Sequence, residues 1–153
     1  MREILFRGKR LDNGEWVEGC LLMVTLEGKT AHLIFGDHFC FVGNDVKALS
    51  HALVDPTAVG QFTGLKDKNG KRIFEGDVIK TCYANTQKAN FVEQVVFRNG
   101  RFCSQYEFSE GGKMWAPLPD GVPHLPQDKM PYMEWCEVIG NIHDSPELLG
   151  GAE

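Results

Sequence analysis

Apolar and polar residues alternate most regularly between Phe91 and Phe108, on either side of the dipeptide Asn99-Gly100. A two-residue Asn-Gly connection is a strong local hairpin signal, because a type I′ turn needs positive φ at both central positions. Pairing about it sets Phe97 opposite Phe102, Val95 opposite Ser104, Glu93 opposite Tyr106 and Phe91 opposite Phe108. The other face then carries Arg98/Arg101, Val96/Cys103, Gln94/Gln105 and Val92/Glu107. A period of two with one aromatic-rich face predicts a core side and a wetter side.

Similar short apolar runs predict strands at Glu3–Arg7, Trp16–Val24 and Ala31–Phe35, separated by turns at Asn13-Gly14 and Glu27-Gly28-Lys29. Gly19 marks a bulge candidate within the second of these. Phe39–Val42 is short and apolar, and Val46–Leu53 reads as two helical turns. A soft boundary between lobes is expected near Asp55-Pro56. Five of the seven prolines, at 117, 119, 123, 126 and 131, fall within residues 110–131, which predicts a long loop there. Tyr132–Ile142 returns as a closing strand, and Pro146–Leu149 suits one helical turn with Ser145 as its cap.

The chain is organised around Val59–Lys80, VGQFTGLKDKNGKRIFEGDVIK. Two strand candidates here flank a polar turn with Asn69-Gly70, and Gly76-Asp77 bends the chain into a further strand. This run resembles the central signature of the YopX-like family of small phage and prophage proteins. The opening Met1–Gly8 and the closing Glu137–Leu149 are similar to the family's first strand and last segment. The resemblance implies a β-rich fold with an SH3-type barrel, a phage or prophage setting and no established activity. It supplies no catalytic residue. The expected architecture is therefore mainly β, a small SH3-like β-barrel with an additional N-terminal β lobe, in a single domain over residues 1–153.

Composition narrows the setting. At 153 residues one compact domain with a sizeable core is expected. No apolar run approaches the roughly 20 residues that cross a bilayer, so no membrane partner is expected. The start Met-Arg-Glu carries no apolar targeting segment, which points to the cytoplasm. Cys20, Cys40, Cys82, Cys103 and Cys136 are scattered and form no Cys-x-x-Cys pair, as expected of reduced thiols. The net charge is −5, with eleven basic and eleven acidic residues in 1–80 but five basic and ten acidic in 81–153. An acidic protein repels nucleic acid at long range, although a local basic patch can still bind it.

Candidate chemistry is sparse. Asp67, Glu75 and Asp77 are close in sequence, but Asp at such turn positions bonds backbone amides without any catalytic demand. His38 and Cys40 form the one close pair of metal-ligand types, with His32 and Asp37 nearby, and two ligands do not make a zinc site. No nucleophile or phosphate-loop motif occurs. The strongest binding candidate is the basic turn Lys66, Lys68, Lys71 and Arg72, although lysines that keep a hairpin soluble explain it as well. Trp115 and Trp135 flank the proline-rich loop, either as its anchors or as the lining of a groove. The expected function is a non-enzymatic binding or accessory module, with no cofactor, for a protein or nucleic acid. Self-association is left open. The alternative is a small hydrolase or metal-dependent enzyme using Asp67, Glu75, Asp77 or the His38/Cys40 region.

Overall fold

The computed structural model describes residues 3–36, 39–42, 45–48, 51–82, 90–107, 112–118 and 136–149. Among the described residues the strands and a 3-10 turn follow in the order β1 Phe6–Arg10, β2 Trp16–Leu26, β3 Lys29–Phe35, β4 Phe39–Val42, β5 Asp45–Ala48, β6 His51–Lys66, β7 Arg72–Phe74, β8 Asp77–Cys82, β9 Asn90–Arg98, β10 Arg101–Glu107, β11 Lys113–Pro117, β12 Cys136–Asn141 and the turn Pro146–Leu149. The chain is mainly β and divides into two compact units, Met1–Phe62 and Thr63–Glu153.

In the first unit β1, β2 and β3 form an antiparallel meander. β6 pairs with β3 through His51–Leu53 and with β1 through Val59–Gln61, which closes four strands into a small barrel. One strand serves both seams because it is long and bulged. Gly8 faces Val59 while Arg10 faces Val54, so the residues between absorb the extra length. Pro56 lies in that stretch, where a missing N–H breaks no ladder bond, and Asp55 Oδ1 accepts from the Thr57 amide and hydroxyl beside it. Pro56 therefore bends a strand rather than ending one.

Ile34, Ala52, Val54, Ala58, Phe62 and Leu5 are buried in this unit. Gly19 is dictated by close approach: a Cβ there would stand 1.8 Å from the Phe35 carbonyl oxygen. The helical turns expected over Val46–Leu53 are not found. β5 instead pairs with β4, and β6 begins at His51 in register with Phe35. Tertiary pairing overrides a weak local helix preference.

The second unit is built on a five-stranded antiparallel sheet in the order β11-β10-β9-β8-β12. β9 and β10 pair in the register that the Asn-Gly turn predicts, Phe97 opposite Phe102 and Val95 opposite Ser104. Asn99 and Gly100 take φ of 52° and 80°, as a type I′ turn requires. The Phe91–Phe108 pair lies outside the described residues. Ile73, Ile79, Val95, Cys136 and Val138 make the core, with Leu65 and Leu118 packed on it. The expected loop over residues 110–131 is interrupted, since Lys113–Pro117 is a strand on the sheet edge. Pro117 ends that strand opposite Cys103, a position where proline is tolerated.

Candidate binding surface

The basic turn is first of all a joint. Lys68, Asn69 and Gly70 form a three-residue loop closed by the Asp67 amide on the Lys71 carbonyl at 2.9 Å, with Gly70 at φ 79°. Asp67 points inward and is only 1% exposed. Its Oδ1 accepts the amides of Asn69 and Lys71 at 2.8 and 2.9 Å, and its Oδ2 accepts the Val138 amide at 3.0 Å. The Lys68 amide reaches the Cys136 carbonyl at 3.1 Å, and its ammonium pairs with Glu137 at 2.5 Å. Together these contacts cap the outer edge of β12. The hydrogen bond to Lys68 holds the Glu137 carboxyl below its usual range, and the same bond raises the Lys68 ammonium. Of the four basic residues expected at an interface, Lys66 and Lys71 are exposed, Arg72 is half-buried and Lys68 is paired.

Two of the three acidic residues of the hydrolase alternative, Asp67 and Asp77, are buried and hydrogen-bonded. Asp77 is fully buried, its Oδ2 accepting the Phe74 amide at 2.8 Å and its Oδ1 the Asn141 side-chain amide at 3.4 Å. Asp67 and Asp77 each hold their own turn, and Glu75 is half-buried beside Gly76. Cys136 is buried, and desolvation, reinforced by the charges of Asp67, Glu93, Asp77 and Glu137, pushes its thiol up to about 12. A thiol so placed stays protonated and is a poor nucleophile or ligand. His38 lies outside the described residues, as does the side chain of Cys40. Among the described residues no three His, Cys, Asp or Glu side chains gather as metal ligands.

One buried charge went unremarked in the sequence as a site. Glu93, on the aromatic face of β9, is 2% exposed and accepts the Thr81 hydroxyl at 2.7 Å and the Ser104 hydroxyl at 3.2 Å. Edge-to-face pairs Phe91–Tyr106 and Phe97–Phe102 lie on either side of it. The available signal was a carboxylate at a position that alternation assigns to the core. Its hydroxyl partners meet the requirement that a buried polar group be hydrogen-bonded.

The opposite face of the same sheet is the polar one, and the structure places Trp115 there. Trp115 faces Gln105 across β10–β11, and its Nε1–H donates to Gln105 Oε1 at 2.9 Å. The Arg98 guanidinium stacks on the indole, 3.8 Å from the ring centroid. β10 lies between Arg98 on β9 and Trp115 on β11, and its outward-facing Cys103 is buried. Arg101 sits directly opposite Arg98 at the end of the hairpin, and both are exposed. Neither is ion-paired among the described residues. The carboxylates on this face are engaged, Glu107 by Lys113 at 3.4 Å and Glu137 by Lys68. Lys80, exposed on β8 opposite Glu137, adds a further cation. Trp135 lies outside the described residues.

A closed four-stranded barrel joined to an antiparallel sheet defines a mainly-β protein whose polar surface is built on strands. The family model described as YopX protein matches residues 5–150, and the chain belongs to that family. It is similar to the crystal structure of protein EF1440 from Enterococcus faecalis, with 27% identity, a TM-score of 0.58 and coverage of 97% of this chain and 99% of that one. It also has the fold of protein yopX from Bacillus subtilis, with 16% identity, a TM-score of 0.51 and full coverage of both chains. No curated protein matches the chain. No described helix is long and apolar enough to cross a membrane.

Proposed function

We propose that this chain is a phage- or prophage-type accessory protein that works in the cytoplasm by binding a macromolecule, without catalysing a reaction. The observation that carries this reading is how the charged side chains of the second unit are used. Asp67, Asp77 and Glu93 are buried and engaged by backbone amides, an amide side chain or hydroxyls, while exposed arginines and a half-buried tryptophan stand on a regular sheet. Groups locked in structural bonds make poor acids and bases, whereas an ordered cationic and aromatic surface loses little entropy on binding. Trp115 belongs to that surface. Lys66, Lys68, Lys71 and Arg72 belong to the turn on the opposite, β12 edge of the sheet, where Lys68 neutralises Glu137.

The test is affinity capture from prophage-bearing cells. Tagged wild type is compared with a variant carrying Arg98→Gln, Arg101→Gln and Trp115→Leu, with and without nuclease treatment. A species retained by the wild type and lost with the variant is expected. Equal retention by both proteins, or turnover of a generic ester or phosphodiester substrate by purified wild type, would overturn the reading.

A further inference from the structure

Arg98 and Arg101 are the feature that folding alone does not explain. They are directly opposed across the hairpin, and like charges in that position destabilise a strand pair. None of the described ion pairs includes either residue. The acids of this face, Glu107 and Glu137, lie at the level of Val92, six residues along β9 from Arg98, and are held by Lys113 and Lys68. The face is therefore locally cationic on the acidic half of an acidic chain.

The stack on Trp115 adds shape to the charge. Its Nε1–H bond to Gln105 fixes the indole, and the central carbon of the Arg98 guanidinium lies over that ring at 3.8 Å. A guanidinium held this way offers its in-plane N–H donors to a phosphate and its outer face to a flat base. Arg101, a strand away, can meet an adjacent phosphate. In the Lys66–Arg72 turn the central cation, Lys68, is instead paired with Glu137.

We infer that the Arg98, Arg101 and Trp115 end of the β9–β10–β11 face binds single-stranded nucleic acid, with phosphates on the two arginines and a base stacked over Arg98. The inference rests on the binding reading above and names its partner. An acidic protein segment would use the charges but not the flat stacked surface, and a duplex would leave its bases inaccessible to that stack.

The experiment measures the full chain against a labelled 20-nucleotide oligo-dT, a duplex of the same length and a poly-glutamate peptide at low salt. Tightest binding to oligo-dT is expected, weakening with salt by roughly 0.7 in log affinity per log salt for each phosphate neutralised. Arg98→Gln with Arg101→Gln should lower affinity at least about tenfold and reduce the slope by about 1.4, the share of two phosphates. Trp115→Leu should weaken binding and Trp115→Phe should largely restore it. Phe97→Ser, on the opposite face, serves as the control and should leave affinity unchanged, with melting curves verifying that all variants are folded. Equal binding of poly-glutamate or duplex, no binding of oligo-dT at low salt, or loss on Phe97→Ser but not on the arginine changes would each overturn the assignment. Nuclease-resistant capture of a protein without oligonucleotide binding would overturn it while leaving the binding reading intact.

Discussion

Asp67→Ala is expected to be among the most damaging single substitutions in the second unit, for reasons that can be worked bond by bond. The carboxylate accepts three backbone amides, those of Asn69, Lys71 and Val138. Hydrogen bonds to an ionised acceptor contribute about 1.5–3 kcal/mol each, while a buried donor left without a partner costs about 1–3 kcal/mol. Asn69 and Lys71 are exposed, so water can replace the lost acceptor at their amides. Val138 is 7% exposed, and its N–H has no such recourse. Allowing for partial replacement by water, the expected loss is about 3 kcal/mol. Asp67→Asn keeps the shape and one oxygen, but turns an NH2 group towards a donor, so an intermediate loss of about 1–2 kcal/mol is expected. Urea unfolding followed by far-UV circular dichroism gives the change as the shift in midpoint multiplied by the slope. A loss below about 0.5 kcal/mol for Asp67→Ala, with unchanged slope, would refute the claim that this side chain holds the turn to β12.

Gly100→Val places a β-branched residue at φ 80°, and since nothing lies near its Cβ the cost is backbone strain alone. A loss of about 1–3 kcal/mol is expected, and an unchanged midpoint would contradict it. Gly19→Ala should be worse tolerated than Gly28→Ala, because one Cβ meets the Phe35 carbonyl and the other meets nothing, and comparative melting of the two variants decides. In native protein at pH 8 iodoacetamide should modify exposed Cys20 rapidly and buried Cys103 and Cys136 slowly, with Arg98→Ala accelerating Cys103 alone of the two; peptide mass mapping reads each thiol. Cys136 carries a raised folded-state value of about 12 against an ordinary 9.0, so between those values the unfolded chain holds fewer protons and stability must fall as pH rises. The Glu137–Lys68 pair acts in the opposite sense at low pH, its contribution disappearing as pH falls through the depressed carboxyl value, and Glu137→Gln should remove that dependence from the unfolding midpoint.

How much of this was legible follows from the range of each signal. The β9–β10 register could be read residue by residue, because an Asn-Gly turn and a period of two are both local. Closure of the barrel could not be located in the same way. It depends on β1 meeting the far end of β6, a pairing between distant segments that no short pattern specifies. β11 was hidden by proline density, although Pro117 stands at the end of an edge strand and Lys113–Ala116 contain none. The basic turn was read from its charges, whereas its position is set by the one acid among them, Asp67. Its partner Val138 is far away in sequence, so the local view exposed the lysines and concealed the tether.

The two edges of the five-stranded sheet explain why the cationic surface lies where it does. An open edge invites pairing with another chain, and β12 avoids this because the Asp67–Lys68 turn occupies its outward amide and carbonyl positions at Val138 and Cys136. That task fixes Asp67 in the interior and directs Lys68 on to Glu137, which removes the central charge from the basic turn. At the other edge, β11 is short and bears Trp115, which Gln105 holds against the sheet and Arg98 covers from two strands away. Alternation along β9 makes this possible. Residues 91, 93 and 95 face inward, where Glu93 accepts the Thr81 and Ser104 hydroxyls, and residues 94, 96 and 98 face outward and end on an arginine. A shift of one residue in that register would bury Arg98 and expose Glu93 and Val95, so the turn that fixes the hairpin also fixes the sign of the charge on the outer face.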